Sequence, residues 1–317
     1  MNNYILSPAL QRAVEVALLL DRPLLLCGEP GTGKTTLAKH LATQYSQQSP
    51  GNYAPFHPTP LVFNTKTTSL ATDLFYTYDA LERLRDAYSK VDKNTGDYIK
   101  LRALGTAIAF KHGNNSKGLD AIRPIIDFKT EGSIPPNPVS SLVLIDEIDK
   151  APRDFPNDIL NEIEKLCFEI RELNATVPPA ENNAKVLVIM TSNNEKNLPD
   201  AFLRRCVYYY ISFPDIDQMD KIIKEHFPVL KNNNGTQVMG IIKTFNELRK
   251  LPLLKKPATA EFIDWLHVLD SKKMLTTAAQ PYEQMPSEIK TELQQTIGIL
   301  LKNNNDIEIA KENLANM

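Results

Sequence analysis

The chain has 317 residues, which is more than one average domain, so two compact units are expected. Its hydrophobic fraction of 42% and charged fraction of 23% are typical of a soluble globular protein. Lys and Arg number 36 and Asp and Glu number 38, so the net charge is −2. Bulk electrostatics therefore give no reason to expect a nucleic-acid partner or an anionic membrane.

The cysteines and the apolar runs exclude further classes. The three scattered cysteines include no C-x-x-C pair, so neither a disulfide framework nor a zinc site is predicted. No uninterrupted apolar run reaches the length of about 18 residues that a membrane helix needs. The first residues lack a basic region before an apolar core, so we expect no signal peptide. A cytoplasmic protein is the simplest expectation.

Helices and strands alternate over the first two thirds of the sequence. Ser7 as N-cap and Pro8 in the first turn predict a helix that runs to about Leu20. Its apolar face carries Leu10, Val14, Ala17 and Leu18. Apolar runs then predict strands at 24–27, 61–64, 142–145, 186–190 and 207–213, helices at 36–45, 73–90 and 158–166, and a hairpin at 168–177. This alternation predicts an α/β fold with a parallel sheet covered on both faces.

Two longer regions organise the chain. The helix predicted at 73–90 has Leu74, Leu81 and Leu84 as expected core contacts. The stretch 91–140 is predicted to be a long irregular insertion around one apolar segment at 104–110. After residue 214 the strand pattern stops, and helices are predicted at 217–227, 236–250, 259–270 and 287–302. We therefore expect an α/β unit at 1–214 and an all-helical unit with a C-terminal tail at 215–317.

A glycine-rich segment follows the first predicted strand. Residues 28–35 fit the pattern G-x-x-x-x-G-K-[ST], with Lys34 and Thr35 as its last two positions. Backbone N–H groups of such a loop and of the following helix converge on a phosphate. Lys34 would then pair with the β- and γ-phosphates, and the Thr35 hydroxyl would ligate Mg²⁺. The alternative is a glycine-rich turn between a core strand and a helix.

Two adjacent acids end the predicted strand at 142–145. Asp146 can be presented to Mg²⁺ beside a phosphate loop, and Glu147 can polarise a water for attack on the γ-phosphate. The alternative is a pair of solvated acids at a strand end, followed by Asp149 and Lys150. The glycine-rich loop earlier in the chain favours the first interpretation, because the two motifs together form one nucleotide site.

Polar residues also follow the fourth predicted strand and precede the fifth. Asn193 would lie between the loop and the acids, within reach of the attacking water, although asparagine also favours an ordinary turn. Arg204 and Arg205 end a short helix before the fifth strand. Such a pair is either a surface ion pair, which composition alone favours, or a clamp that completes a neighbouring subunit's phosphate site.

These segments, in this order, resemble an AAA+ ATPase, and the long insertion and the hairpin before the fourth strand resemble the MoxR-type branch. The segment Lys256–Trp265 is similar to the helical-lid motif of these proteins. The resemblance spans roughly residues 5–270. It implies a P-loop NTPase fold with a three-layer αβα core, a five-stranded parallel sheet and a following all-α lid domain.

The resemblance also implies roles by position. Asp146 and Glu147 match the Walker B acids, Asn193 matches sensor 1, and Arg205 matches the arginine finger better than its rival Arg204. Ala260 stands where related lids usually carry the sensor 2 arginine, and Lys255 or Lys256 could substitute for it. The implied nucleotide-binding residues are those of Walker A and its flank: Gly28, Glu29, Pro30, Gly31, Thr32, Gly33, Lys34, Thr35 and Thr36.

The function implied by the resemblance is an ATP-driven remodelling ATPase that uses ATP and Mg²⁺. It implies a ring, with a hexamer expected, and a partner that carries a von Willebrand factor A domain. The insertion at 91–140 would contact the client protein. The altered position at Ala260 favours a second hypothesis, a nucleotide-gated switch or scaffold with little turnover. A small-molecule kinase on a P-loop fold is a third, disfavoured by the paired arginines and the acid pair.

Overall fold

The computed structural model describes residues 4–126, 134–227, 230, 236–275 and 285–315. The chain divides into two units. The core unit comprises residues 6–28 and 34–211, and the helical unit comprises residues 1–5, 29–33 and 212–317. Residues 127–133 of the predicted insertion and residues 276–284, before the helix predicted at 287–302, lie outside the described residues.

The core unit is built on a five-stranded parallel sheet, as predicted. Its strands are β1 (Leu24–Gly28), β2 (Leu61–Asn64), β5 (Ser141–Asp146), β8 (Val186–Ser192) and β9 (Val207–Ile211). The spatial order is β2-β5-β8-β1-β9, so β1 lies between β8 and β9. Strands β1, β5 and β8 are almost wholly buried, as expected for central strands of a sheet that is covered on both faces.

Two small antiparallel ladders accompany this sheet. One pairs β3 (Tyr76–Tyr78) with β4 (Ile99–Leu101), and the other pairs β6 (Phe168–Ile170) with β7 (Ala175–Val177). The second ladder confirms the predicted hairpin at 168–177. The core unit's helices are α1 (Pro8–Leu20), α2 (Lys34–Gln47), α3 (Ala80–Tyr88), α4 (Ala103–His112), α5 (Arg123–Ile126), α6 (Phe155–Asp158), α7 (Leu160–Lys165) and α8 (Asp200–Leu203).

Helix α1 begins as the sequence predicts. The Ser7 hydroxyl accepts a hydrogen bond from the Leu10 N–H at 3.2 Å, and Pro8 occupies the first turn. The four residues assigned to its apolar face are its buried residues. Asp21, in the left-handed conformation at φ 50°, ends the helix and turns the chain toward β1.

The prediction of a single helix over 73–90 is wrong. Its first part is a short 3-10 helix followed by β3, and only Ala80–Tyr88 is α-helical. Asp79 divides the segment, because its side chain caps α3 by accepting the Glu82 N–H at 2.8 Å. Leu74 is buried as expected, but Leu81 and Leu84 are 67% and 54% exposed and make no core contact of the kind predicted.

The stretch 91–140 differs from the irregular insertion that the sequence suggested. Its middle contains α4, in which every residue is buried, and Leu119, Ile122 and Ile125 join the same core. A segment buried in this way cannot serve as a surface arm for a client protein. The sequence pattern missed α4 because a fully buried helix is apolar on all sides and shows no periodicity.

The helical unit contains α9 (Ile216–His226), α10 (Thr236–Lys250), α11 (Thr259–Ser271), α12 (Ser287–Thr296) and α13 (Asn304–Ala315). It has a separate hydrophobic core that includes Phe245, Phe262 and Trp265. Trp265 is 1% exposed and donates its indole N–H to the Thr296 hydroxyl at 2.8 Å. Within the residues that the structure describes, no helix has both the length and the apolar character that crossing a membrane requires.

Candidate nucleotide site

The polar ends of β5 and β8 meet beside the start of α2. Thr35 donates its hydroxyl to Asp146, at 3.2 Å from Oδ1 and 3.1 Å from Oδ2. The Thr191 hydroxyl donates to Asp146 Oδ1 at 2.5 Å and accepts the Glu147 N–H at 2.8 Å. Because β5 and β8 are parallel neighbours, their carboxyl ends lie at one edge of the sheet. The structure therefore brings together the loop-end threonine and the acid pair that the sequence predicted.

Lys34, the first residue of α2, is buried at this edge. Its side chain is 7% exposed, and Nζ donates to the Gly28 carbonyl at 2.7 Å. Burial lowers the pKa of Lys34, while the nearby negative groups, among them Asp149, Asp146 and Glu147, act in the opposite direction. A desolvated ammonium group of this kind gains strongly from an added negative charge.

Glu147 follows the strand in a left-handed backbone conformation at φ 56° and ψ 52°. Both oxygens of its carboxylate have partners. Oε1 accepts the Asn193 side-chain N–H at 3.2 Å, and Oε2 accepts Lys150 Nζ at 2.5 Å. The hydrogen bond to Glu147 raises the pKa of Lys150. The side chains of both members of this pair are more than a third exposed, so water can compete for the contact.

Asp149 lies in the short 3-10 helix just after Glu147 and is 3% exposed. Its Oδ2 accepts the backbone N–H groups of Asn193 at 3.1 Å and of Glu195 at 3.0 Å. These bonds connect the turn that follows β5 to the turn that follows β8. Asn194, between the two donors, is in the left-handed region at φ 59°.

The middle of the glycine-rich loop, residues 29–33, groups with the helical unit. Gly31 and Gly33 have φ values of 74° and 84°, a region that side chains disfavour, so the loop depends on glycine at both positions. The Thr32 hydroxyl donates to the Glu29 carbonyl at 2.8 Å. Within the same unit, the Glu29 carboxylate pairs with Arg249 at 2.6 Å.

The other residues that were predicted to belong to the site make no contact with Asp146 or Glu147 among the described interactions. Thr36 is half-buried in the first turn of α2, and Pro30 is exposed. Arg204 and Arg205 are both exposed, and Arg205 forms a long ion pair with Glu164 at 3.5 Å. The structure does not bring either arginine to Asp146 or Glu147 of the same chain.

The residues at this edge fit a magnesium ion. The Thr35 hydroxyl and the Asp146 carboxylate already lie together and supply hard oxygen ligands, which Mg²⁺ prefers. Among the described residues, no group of three His, Cys, Asp or Glu side chains forms a protein-only metal site. Mg²⁺ is usually bound through one or two protein oxygen ligands together with phosphate and water, so Thr35 and Asp146 fit that requirement.

Four contributing residues were not predicted: Thr191, Asp149, Lys150 and Arg249. Thr191 could have been found, because a threonine two positions before a strand-end asparagine reaches the same edge as the neighbouring strand's acids. Asp149 was predicted only to follow two solvated acids, because the local sequence 146–150 does not show that its side chain is buried. Arg249 lies 220 residues from Glu29, and no local pattern links the two.

The family follows from residues 24–213, which match the model of the ATPase family associated with various cellular activities, AAA. The chain belongs to the AAA family of ATPases. The matched range begins at β1 and extends two residues beyond β9, so it contains all five strands of the sheet. The observed fold, a five-stranded parallel sheet flanked by helices and followed by a helical region, is the P-loop AAA+ fold.

Two solved structures are similar over most of the chain. Domain III of the replication initiation protein DnaA from Thermotoga maritima is 12% identical, with 95% of each chain covered and a TM-score of 0.43. NtrX from Brucella abortus is 13% identical, covering 99% of this chain and 66% of its own, with a TM-score of 0.44. Neither likeness supports an argument about function. A comparison with curated proteins found none that matches the chain significantly.

Proposed function

We propose that this AAA-family protein hydrolyses ATP with Mg²⁺ at the edge of the sheet formed by α2, β5 and β8. One observation carries the proposal. The Thr35 hydroxyl donates a hydrogen bond to the Asp146 carboxylate. The next residue, Glu147, accepts a hydrogen bond from the side-chain amide of Asn193. This arrangement combines a pair of oxygen ligands and a general base within one network of hydrogen bonds at the start of α2.

Lys34 supplies the charge that binds the phosphates. Its ammonium group is buried and donates to the Gly28 carbonyl at 2.7 Å. A triphosphate would replace the solvation that burial removed, so this lysine contributes more than an exposed lysine could. Thr35 and Asp146 would hold Mg²⁺. The ion, when bound, neutralises charge on the phosphate oxygens.

Glu147 is the proposed general base, and Asn193 positions it. A base must accept a proton from the attacking water, so at least one oxygen of Glu147 has to be free to contact that water. Asn193 holds Oε1, while Lys150 occupies Oε2. Lys150 competes with that water for Oε2, and an exposed ion pair can open at low cost in free energy.

The proposed assembly is a ring of identical chains, with a hexamer expected. Arg205 is exposed, and its ion pair is with Glu164 rather than with Asp146 or Glu147, which supports a role in a neighbouring subunit's site. The resemblance of the sequence to the MoxR-type branch supports a remodelling or chaperone activity in the cytoplasm. It also supports a partner that carries a von Willebrand factor A domain.

A second candidate function is a nucleotide-gated switch that assembles but turns over very little. The close contact of 2.5 Å between Lys150 and the Glu147 carboxylate favours it, because the ammonium group competes with the attacking water for the base. Ala260 at the position expected for the sensor 2 arginine favours it as well.

Phosphate release by the assembled protein separates the two functions. The wild-type chain is compared with Glu147→Gln, which keeps the size of the side chain but replaces one of its two acceptor oxygens with an NH₂ donor. A hydrolase loses at least 100-fold in rate with unchanged ATP affinity, since a general base contributes about 10²–10⁴. Equal and negligible rates in the two proteins would eliminate the hydrolase and leave the switch. Lys34→Ala is the control for loss of nucleotide binding.

Mixing of variants tests the ring and the finger. Lys34→Ala subunits would still offer Arg205 to a neighbour, whereas Arg205→Ala subunits would still bind ATP. Each variant alone should be inactive, and a mixture should recover part of the wild-type rate. Arg204→Ala is the matched control. A normal rate of ATP hydrolysis by Arg205→Ala would show that another residue is the arginine finger. The mass of the assembly is measured with and without a slowly hydrolysed ATP analogue, and an unchanged mass would contradict nucleotide-dependent assembly.

A further inference from the structure

Asp149 is a buried carboxylate that the proposed chemistry does not use. It is 3% exposed and follows Glu147 by two residues. Its Oδ2 accepts two backbone N–H groups, from Asn193 at 3.1 Å and from Glu195 at 3.0 Å. Both donors lie just beyond the last residue of β8, where the ladder of the sheet no longer supplies partners.

The burial of this carboxylate is costly. Within the described part of the chain, its Oδ1 is buried and has no hydrogen-bond partner. A buried charged oxygen without a partner carries a large desolvation penalty, which a neutral acceptor at the same place would avoid. The hydrogen bonds described for this side chain all join Oδ2 to the turn after β8, so they are the contact through which Asp149 can act on the site.

The geometry connects Asp149 to the general base through Asn193. Oδ2 fixes the backbone of residues 193 and 195 on both sides of the left-handed Asn194. The side chain of the same Asn193 donates to Glu147 Oε1 at 3.2 Å. The amide therefore reaches the carboxylate from a backbone that is held at two points.

We infer that Asp149 is a positioning residue, which holds the turn after β8 so that the Asn193 amide orients Glu147. This inference rests on the proposed ATP hydrolysis and names a further residue on which that site depends. It makes a distinct claim about mechanism: Asp149 acts as a hydrogen-bond acceptor and acts through Asn193. On this inference, kcat does not depend on the negative charge of Asp149, although that charge also acts on Lys34.

Four variants of the full chain test the inference by their kcat: Asp149→Ala, Asp149→Asn, Asn193→Ala and the double variant Asp149→Ala/Asn193→Ala. Asp149→Ala should lower kcat by about 10- to 100-fold, the size of effect that small misplacements cause. Asp149→Asn keeps one acceptor oxygen and should remain within about threefold of wild type. The double variant should equal Asn193→Ala, because the two residues act in series.

Affinity for a slowly hydrolysed ATP analogue supplies the second measurement, and all four variants should stay within about threefold of wild type. A kcat in Asp149→Asn as low as that in Asp149→Ala would show that the charge matters and would overturn the inference. A double variant clearly slower than Asn193→Ala would also overturn it, since Asp149 would then act by a route that does not pass through Asn193.

Hydrogen exchange keeps the test independent of turnover. In Asp149→Ala the amides of Asn193 and Glu195 should exchange at least tenfold faster, whereas Asp149→Asn should protect them. The amides of α11 in the helical unit are the control for general unfolding. If the wild-type chain releases no more phosphate than Glu147→Gln, the proposed function fails, and exchange still decides whether Asp149 holds the turn. Unchanged exchange in Asp149→Ala would refute that contact.

Discussion

Thr191 offers the sharpest test of how the two strand ends are held together. Its hydroxyl accepts the Glu147 N–H at 2.8 Å and donates to Asp146 at 2.5 Å, and the residue is 1% exposed. Thr191→Val keeps the shape of the side chain and removes both bonds. The half-buried N–H of Glu147 then loses its acceptor, and a methyl group faces the Asp146 carboxylate.

The expected loss of stability follows from these two bonds. An unsatisfied buried donor costs about 1–3 kcal/mol, and a hydrogen bond to a charged group contributes about 1.5–3 kcal/mol. Asp146 and Glu147 are partly open to water, which reduces both values, so we expect Thr191→Val to cost about 2–3 kcal/mol. Thr191→Ser keeps the hydroxyl and loses one methyl, for about 1 kcal/mol.

The assay has to report on the core unit. The single tryptophan of the chain, Trp265, belongs to the helical unit, so its fluorescence does not follow unfolding at β8. Denaturant unfolding followed by circular dichroism, with hydrogen exchange of the β8 amides, measures the relevant loss. A Thr191→Val protein no less stable than Thr191→Ser would refute the reasoning, because the hydroxyl would then contribute nothing.

Three further predictions concern charged groups. Burial lowers the pKa of Lys34 and a bound triphosphate raises it, so binding takes up a proton and affinity should fall as pH rises through the lowered value. Titrations of an ATP analogue from neutral to alkaline pH measure this fall, and Lys34→Arg, which stays charged, should not show it. Asp306 is 0% exposed and accepts the N–H groups of Leu254 and Lys255 at 2.8 and 3.0 Å. Asp306→Ala should therefore destabilise the helical unit by about 2–4 kcal/mol, measured by Trp265 fluorescence; a loss below that of Asp306→Asn would contradict it. Lys150→Met should raise phosphate release about twofold to fivefold at saturating ATP, since it frees Glu147, and a slower rate would mean that Lys150 supports the base.

The strands of the parallel sheet were predicted well because most of them are short apolar runs that are easily recognised in the sequence. Strand β2 was predicted with its observed bounds, and β1 and β5 within two residues, because an apolar run bounded by turn residues is typical of a buried parallel strand. The elements predicted poorly depend on distant partners. β3 exists because β4 pairs with it from more than 20 residues away, and no local periodicity reports that pairing.

The candidate site divides in the same way. Lys34, Thr35, Asp146 and Glu147 belong to contiguous motifs whose residue types are required by phosphate and magnesium, so spacing alone identifies them. Asp149 and Thr191 act on the site from different strand ends, 42 residues apart in the sequence, and only the parallel pairing of β5 with β8 brings them together. Residues that orient a general base have no fixed sequence motif, because hydrogen-bond acceptors of several types at several positions can orient it equally well.

The backbone of Glu147 is strained, and the residues around it offset part of the cost of that strain. A non-glycine residue in the left-handed region costs about 1–2 kcal/mol, and Glu147 adopts it at φ 56°. Glycine would remove that cost but would also remove the carboxylate. The hydrogen bond from the Glu147 N–H to Thr191 is of the same magnitude as the strain and holds the turn in this conformation. It follows that the hydroxyl of Thr191 and the carboxylate of Asp149 fix the two ends of one arrangement, the first at the base and the second at the amide that orients it. Substitutions at either position should therefore change hydrolysis more than nucleotide affinity.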